Sequence, residues 1–192
     1  MQIILASSSK RRQDLLKMIN LDYKVIVSDE EEVVDSSLTV LENCQNISYQ
    51  KALNVLKKVK EDSIIISCDT VVCKDNELIG KPKDKSEATL MLKKLSGTSH
   101  AVYSCLTVLK VKNQEIIKEY KEVGKGIVYV DNLSNEEIED WINKSDPYNK
   151  AGGYAIQEEF GKYITKIEGD FYSIVGLPLN KLYQVLKKIN ND

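Results

Sequence analysis

One apolar stretch constrains the fold of this chain more than any other. The sequence DSIIISCDTVVC at 62–73 is almost continuously apolar, which is typical of a central strand covered on both faces of a sheet. It therefore predicts an α/β fold. Asp69 interrupts the run, and a carboxylate in a buried strand is costly unless it is paired, hydrogen-bonded or bound to a metal. That cost favours a functional role for Asp69 over a purely structural ion pair.

The beginning of the chain contains a second informative segment, IILASSSKRRQDLL at 3–16. It predicts a short buried strand, a turn and a helix, with Ser7, Ser8 or Ser9 as the helix cap. Three cations follow the serines, at a helix end that already carries partial positive charge. Hydroxyls, unpaired helical N–H groups and cations in one turn favour a site for a phosphate-like anion. A solvated basic turn is the alternative.

Length and charge limit the class of protein. The chain has 192 residues and a formal net charge of -2, from 27 Lys and Arg against 29 Asp and Glu. The length favours a single domain over 1–192. The balanced charge argues against a nucleic-acid partner, since such proteins usually carry a basic excess. Without a long apolar run or a signal peptide, we expect no membrane association and a cytoplasmic location.

The sequence gives little support for catalysis by histidine or for disulfide or zinc chemistry at its cysteines. His100 is the single histidine, and we expect it to be structural. Cys44, Cys68, Cys73 and Cys105 lack CxxC spacing, so we expect buried thiols rather than disulfides or a zinc site. Acid–base work therefore falls to carboxylates or to metal-bound water.

A long helix and an acidic run follow the first helix. Residues 36–60 have helical apolar spacing, and Lys51 lies on or beside the apolar face. Its ammonium either extends to the rim or points into a site. The acids at 29–32 follow a predicted strand at 21–27. They are either a solvated loop or ligands for a cation at the carboxyl end of that strand.

Caps and turns predict most of the remaining elements. Three pairs have capping-box spacing: Thr39 with Glu42, Asp84 with Glu87, and Ser134 with Glu137. We expect long strands at 101–111 and 115–130, a final hairpin from 163–167 and 171–175, and a last helix from Pro178. Gly152 and Gly153 either permit close approach of a ligand to the backbone or belong to an ordinary loop.

Several short motifs occur together: LASSSKRR at 5–12, SCDTVV at 67–72, GKP at 80–82, LSGTSH at 95–100, KAGGYAIQ at 150–157 and VGLPL at 175–179. In this order the chain resembles the Maf family of nucleoside triphosphate pyrophosphatases, from Ile3 to about Leu186. The resemblance implies an ITPase-like fold, with a mixed, twisted central sheet flanked by helices and two lobes around a cleft. It also implies a homodimer and hydrolysis of a nucleoside triphosphate to the monophosphate and diphosphate with a divalent metal cation.

The resemblance assigns residues to that reaction. Asp69 matches the acid that serves as proton acceptor, and Glu31 matches a recurrent acid that would bind a metal or a water. These two would hold Mg²⁺ or Mn²⁺, which prefer oxygen ligands; Asp69 is then base, ligand or both. The residues that match triphosphate contacts are Ser7, Arg12, Lys51 and Lys81, and Lys81 is counted among the catalytic residues.

Three further positions distinguish the family's subgroups, and here they are Arg11, Thr70 and Gln157. They resemble the type that acts on dTTP and UTP, and Thr70 and Gln157 offer hydrogen bonds suited to a pyrimidine edge. Such enzymes remove surplus or non-standard nucleotides. The alternatives are a 7-methyl-GTP pyrophosphatase and a non-catalytic nucleotide-binding regulator of cell division.

Three residues depart from the family pattern. Lys10 stands where proline is usual, Asn149 stands where an aspartate commonly precedes Lys150, and Glu158 stands where glycine commonly follows Gln157. Asn149 removes a negative charge near the cleft that the resemblance implies, and the last two changes are expected to alter base preference or metal affinity. They bear on rate and selectivity more than on the type of reaction.

Overall fold

The computed structural model describes residues 1–30 and 32–191. Its strands are β1 (Gln2–Leu5), β2 (Lys24–Val25), β3 (Ser63–Lys74), β4 (Glu77–Ile79), β5 (Ser99–Lys112), β6 (Glu115–Val130) and β7 (Ile164–Gly169). Its α-helices are α1 (Lys10–Met18), α2 (Val40–Leu56), α3 (Lys85–Leu95), α4 (Asn135–Lys144), α5 (Phe171–Val175) and α6 (Leu179–Asn191), and short 3₁₀ turns occupy Pro147–Asn149, Ala151–Gly153 and Glu159–Tyr163.

The described strands form one mixed sheet of seven strands in the order β2-β1-β3-β5-β6-β7, with β4 paired to β3. Strand β1 runs parallel to both β2 and β3, whereas β4 is antiparallel to β3 and β7 is antiparallel to β6. The predicted α/β fold with a mixed central sheet is confirmed. No helix in the described part of the chain is long and apolar enough to cross a membrane.

The chain divides into two compact units. The first contains the chain up to Thr70, residues Ser104–Gly124 and the segment from Gly176 onward; the second contains Val71–Tyr103 and Lys125–Val175. The single domain expected over 1–192 stays a prediction.

The core of the first unit lies between α2 and the parallel strands. Ile3 and Ile4 of β1 pair with Ile64 and Ile65 of β3, and the side chain of Ile65 is fully buried. The apolar cluster that joins the sheet to α2 consists of Ile4, Ala6, Ala52, Val55, Val59, Ile65, Leu109 and Val111. Each large aliphatic side chain buried in this way contributes about 1.5–3 kcal/mol. This packing therefore holds the first residues of β3 against α2.

Aromatic rings form the core of the second unit. Phe160 is completely buried, and its ring centroid lies 5.2 Å from that of Trp141, 4.7 Å from that of Tyr154 and 5.4 Å from that of Tyr163. The Trp141 indole N–H donates to the carbonyl of Gly153 at 2.9 Å. This cluster ties α4 to the segment that follows it.

Helix caps agree well with the sequence. Thr39 and Ser134 both form complete capping boxes, with Glu42 and Glu137. The third pair forms only half of one: Asp84 accepts the Glu87 N–H at 2.8 Å, while the Glu87 carboxylate accepts the N–H of Lys83 at 2.6 Å.

Three predicted elements need correction. Helix α2 spans Val40–Leu56 rather than 36–60, because the Thr39 box begins it, and the strand expected at 21–27 is reduced to Lys24–Val25. The final hairpin is wrong in its second half, since Phe171–Val175 is helical. Gly169 adopts a positive φ of 83°, and the Asp170 carboxylate then accepts the Tyr172 N–H at 3.0 Å, which starts a helix instead of a strand.

Candidate active site

Asp69 and Lys51 form the centre of the site. Asp69 lies on β3 and is 7% exposed. Lys51 lies on α2, and its Nζ donates to Asp69 Oδ1 at 2.7 Å. The lysine therefore points at the buried carboxylate, which resolves the two alternatives for its side chain. This ion pair compensates the cost of a buried carboxylate in a central strand.

The same ammonium binds a second acid, Glu32, at 2.8 Å. The preceding acids, Asp29 and Glu30, pair with the lysines that follow α2, Lys58 at 2.7 Å and Lys57 at 2.9 Å. The three described acids of the run, Asp29, Glu30 and Glu32, are thus each paired with a lysine of α2 or of the residues that follow it. Sequence reasoning did not single out Glu32 within the acidic run, although Lys51 and the lysines that follow α2 were a usable signal.

Glu31, the acid chosen from the sequence, lies outside the described residues. Within the described part, no group of three or more His, Cys, Asp or Glu side chains could hold a metal ion. The carboxylates of Asp69 and Glu32 still meet at one ammonium. They make an all-oxygen pair of ligand side chains, which is the chemistry that Mg²⁺ prefers.

Arg12 connects three parts of the first unit. Its Nε donates to the carbonyl of Gly176 at 2.8 Å, one terminal nitrogen donates to Ser7 Oγ at 3.0 Å, and the other donates to Thr70 Oγ1 at 3.0 Å. The planar guanidinium suits such a fork of contacts. These three bonds to described residues use three of its five N–H groups, which leaves two for an anion.

The expected serine cap of α1 is not formed. Ser9 occupies the cap position but makes no side-chain cap bond. Ser7 Oγ accepts the N–H of Ser9 at 3.2 Å as well as the Arg12 bond. Its hydroxyl therefore orders the turn and Arg12 instead of capping the helix.

Thr70, beside Asp69 on β3, is held by a small hydroxyl network. Its Oγ1 lies 2.7 Å from Ser104 Oγ and 3.3 Å from the carbonyl of Gly176. Because a guanidinium can only donate, Thr70 accepts the bond from Arg12. Ser104 and Gly176 were not predicted from the sequence, and both fix the position of a predicted substrate residue.

The other two cations of the opening segment differ from Arg12. Lys10 forms an exposed pair with Asp14 at 3.4 Å on the next turn of α1, so its departure from the family pattern has a local electrostatic partner. Arg11 is half-buried on α1. Neighbouring helical residues point in directions about 100° apart, so Arg11 and Arg12 serve different sides of the helix.

Lys81 and Gln157 belong to the second unit. Lys81 is exposed just after β4. Gln157 is exposed in a turn that the Glu158 N–H closes by donating to the carbonyl of Ala155 at 3.2 Å. Gly152, in contrast, is buried and donates its N–H to the carbonyl of Gly80 at 2.9 Å, so this peptide group is engaged within the unit.

His100 is a structural residue, as predicted. It is buried, and its Nε2 lies 2.6 Å from the hydroxyl of Tyr154. Burial, helped by the nearby Lys74 ammonium, lowers the pKa of His100 to about 4. The imidazole is therefore neutral near pH 7, consistent with acid–base work falling to carboxylates.

The cysteines are unpaired thiols, and three of the four are buried. Cys44 donates to the backbone carbonyl of Asp69 at 3.5 Å. A hydrogen bond with Cys105 together with burial raises the pKa of Cys44, and burial raises the pKa of Cys68 to about 11. These thiols are protonated near pH 7 and pack around the backbone that carries Asp69.

The fold of this chain resembles that of a solved protein. The chain is similar to the structure of a HAM1 protein from Coxiella burnetii, with a TM-score of 0.52 over 98% of this chain and 99% of that one. The two sequences are 13% identical, so this likeness concerns the fold alone.

The family is shown by the sequence match. The model of the Maf-like protein family matches residues 2–189, and the chain belongs to this family. A protein of Thermoanaerobacter sp. (strain X514) named dTTP/UTP pyrophosphatase is 40% identical over 188 residues, covering 98% of this chain and 96% of that protein. Another with the same name, from Clostridium novyi (strain NT), is 44% identical over 186 residues, covering 96% of each.

Proposed function

We propose that this chain hydrolyses dTTP and UTP to the corresponding monophosphate and diphosphate, and so removes surplus nucleotides or modified forms of them. Membership of the Maf-like family and the names of the two relatives support this proposal. The observation that carries it is the buried Asp69 carboxylate, 2.7 Å from the Lys51 ammonium. Thr70, the next residue, bonds to Arg12, so an acid–base group and an anion-binding group are adjacent.

Asp69 is the proposed proton acceptor. In the reaction, the oxygen of a water forms a bond to phosphorus, the α–β anhydride bond breaks, and one proton of the water passes to a base. Lys51 occupies Oδ1 of Asp69, which leaves Oδ2 as the oxygen for that proton. The ammonium holds the carboxylate in a single orientation, which is what a general base requires.

The cations of the opening segment and of α2 are the proposed triphosphate ligands. Arg12, oriented by Ser7 and Gly176, retains donors for phosphate oxygens. Lys51 can share its third N–H with a phosphate, because it uses two on Asp69 and Glu32. Lys81 and Ser7 complete the set that the family resemblance assigns.

A divalent cation, Mg²⁺ or Mn²⁺, is the proposed cofactor. The oxygen donors of Asp69 and Glu32 fit such an ion, since Mg²⁺ is often bound by one or two carboxylates together with waters and substrate phosphates. Glu31 remains a proposed ligand as well. When bound, the ion would neutralise phosphate charge and lower the pKa of a coordinated water.

Recognition of the base is assigned to Thr70 and Gln157, with Arg11 as the third residue of the dTTP/UTP type. Thr70 accepts a bond from Arg12, and its own proton has Ser104 or Gly176 as an acceptor. In the arrangement in which Thr70 donates to Ser104, its second lone pair can accept a donor such as the N3–H of uracil or thymine, a group that cytosine lacks.

The test is release of diphosphate by the purified protein with Mg²⁺ or Mn²⁺ from dTTP, UTP, CTP and 7-methyl-GTP. We expect release from dTTP and UTP, and its loss when a chelator is added and recovery when the metal is returned. Preferential release from 7-methyl-GTP would replace the substrate assignment. Nucleotide binding without release from any substrate would point to a regulator. Light scattering tests the homodimer that we also propose, and fractionation of cells tests the cytoplasmic location.

A further inference from the structure

Lys150 is a buried cation away from Asp69, in the second unit. Its side chain is 6% exposed. Its Nζ donates to the backbone carbonyl of Asp146 at 2.5 Å and pairs with Glu158 Oε2 at 3.3 Å. A buried ammonium without a counter-charge is strongly unfavourable, so Glu158 supplies the negative charge that this lysine requires.

The carboxylate of the neighbouring acid, Asp146, is hydrogen-bonded within its own loop. Its Oδ2 accepts from Asn149 Nδ2 at 2.7 Å, and its Oδ1 accepts the N–H of Tyr148 at 3.3 Å. An aspartate at 149 would bring a second carboxylate against Asp146, whereas asparagine donates to it. The two departures at 149 and 158 thus belong to one network, in which the carboxylate partner of Lys150 comes from Glu158.

Glu158 also fixes the turn that contains Gln157. The turn is closed by the Glu158 N–H, which donates to Ala155 at 3.2 Å, and the Glu158 carbonyl accepts the N–H of Gly161 at 2.9 Å. On the other side of the turn, the hydroxyl of buried Tyr154 contacts His100 at 2.6 Å. Gln157 is therefore exposed between two anchored ends.

We propose that Glu158 is a positioning residue for nucleotide selection: its ion pair with Lys150 holds the turn that presents Gln157 to the base. The inference rests on the proposed function, since it takes Gln157 as the residue that contacts the base. If the Gln157 amide is displaced, its contact with the base of UTP or dTTP becomes weaker. The reacting groups on β3 and α1 belong to the other unit and keep their own contacts.

The variants Glu158→Gln and Glu158→Gly test this, with Glu159→Gln as the matched control. Glu159 is the adjacent acid, and it pairs at the surface with Lys162 at 2.7 Å. In both Glu158 variants we expect KM for UTP and dTTP to rise about fivefold, with kcat within about twofold of the parent, because a coupled contact of this kind is worth roughly that factor. The preference for UTP over CTP should fall by a similar factor, and the control should match the parent.

A double-mutant cycle with Lys150→Met identifies the ion pair as the cause. If the pair acts as a unit, the variant Lys150→Met with Glu158→Gln has the same KM as Lys150→Met alone. Unchanged KM and UTP preference in both Glu158 variants would overturn the proposal. So would a fall in kcat that follows a lowered melting temperature, because that pattern means a structural role.

The same comparison can be made by calorimetry without turnover. If the parent protein binds UTP but releases no diphosphate, the proposed hydrolysis fails, and the Kd for UTP in the Glu158 variants then tests the positioning role by itself. The near-isosteric Glu158→Gln variant keeps the test possible if Glu158→Gly does not fold.

Discussion

Lys51 and Lys150 are both largely buried, and each contacts one half-exposed glutamate at the surface, Glu32 or Glu158. Their second partners differ. Lys51 binds the buried carboxylate of Asp69, whereas Lys150 binds a backbone carbonyl. Among the described residues, the first group therefore contains two carboxylates for one ammonium, whereas the second contains one carboxylate for one ammonium.

This difference fits the two proposed roles, a catalytic group at Asp69 and a positioning ion pair at Lys150. Two carboxylates close together beside a buried strand are unfavourable unless cations lie there as well. The group at Asp69 is thus suited to hold a metal ion, which is one of the two roles proposed for Asp69. The balanced pair at Lys150 has no such need, and its expected effect is on geometry alone.

The largest expected effect is that of Asp69→Asn. Removing a general base lowers the rate by about a thousandfold, whereas the fold should be kept because the amide still accepts a bond from Lys51. Diphosphate release and the melting temperature measure the two properties. Turnover by this variant within about tenfold of the parent would contradict the assignment of Asp69 as the base. It would also mean that Asp69 and Glu158 do not differ in their effect on the rate.

The second-largest expected effect is that of Lys51→Met, which removes the ammonium shared by Asp69 and Glu32. Two carboxylates then face each other without a cation, and we expect the free energy of unfolding to fall by about 3 kcal/mol, measured by urea denaturation. Adding Asp69→Asn should restore part of the loss, because the uncompensated charge is removed. The control is Lys57→Met, whose pair with Glu30 is exposed and whose loss should leave stability unchanged.

Arg12→Lys tests whether the fork of contacts matters beyond its charge. A lysine keeps the cation but cannot reach Gly176, Ser7 and Thr70 together. We expect kcat/KM for UTP to fall about thirtyfold, as charged hydrogen bonds are worth about 2 kcal/mol. Lys10→Ala, which removes an exposed cation two residues earlier, should leave kcat/KM unchanged. An unchanged kcat/KM in Arg12→Lys would mean that the charge alone is needed.

The smallest effect concerns His100 in the second unit. Its folded pKa of about 4 lies below the ordinary value of 6.5, so the unfolded chain binds a proton first as the pH falls. The contribution of His100 to stability is complete above pH 6.5 and is lost as the pH falls toward 4. At about pH 5.5 the loss is about 1.4 kcal/mol relative to about pH 8.

Urea denaturation of the parent and of His100→Gln over this range isolates that contribution, because glutamine does not titrate. The difference between the two proteins should shrink as the pH falls. A constant difference would show that His100 titrates normally in the folded state.

Local signals predicted most of the elements. The boxes at Thr39 and Ser134 formed as expected because their hydrogen bonds span three residues and depend little on the rest of the chain. The apolar run of β3 likewise identified a central strand. The failure at 171–175 is also local in origin: Asp170 is a cap after a glycine of positive φ, and its apolar successors fit a strand equally well.

The sequence by itself determined the family, the α/β class, the central strand and the buried carboxylate, because apolar periodicity and short motifs are properties of neighbouring residues. Only the tertiary structure decided the partners. Arg12 and Gly176 are 164 positions apart, and Glu32 from the acidic run pairs with Lys51 on α2. Such contacts depend on how α2 and the loops pack against the sheet. The charge balance that distinguishes Lys51 from Lys150 therefore became visible only in three dimensions.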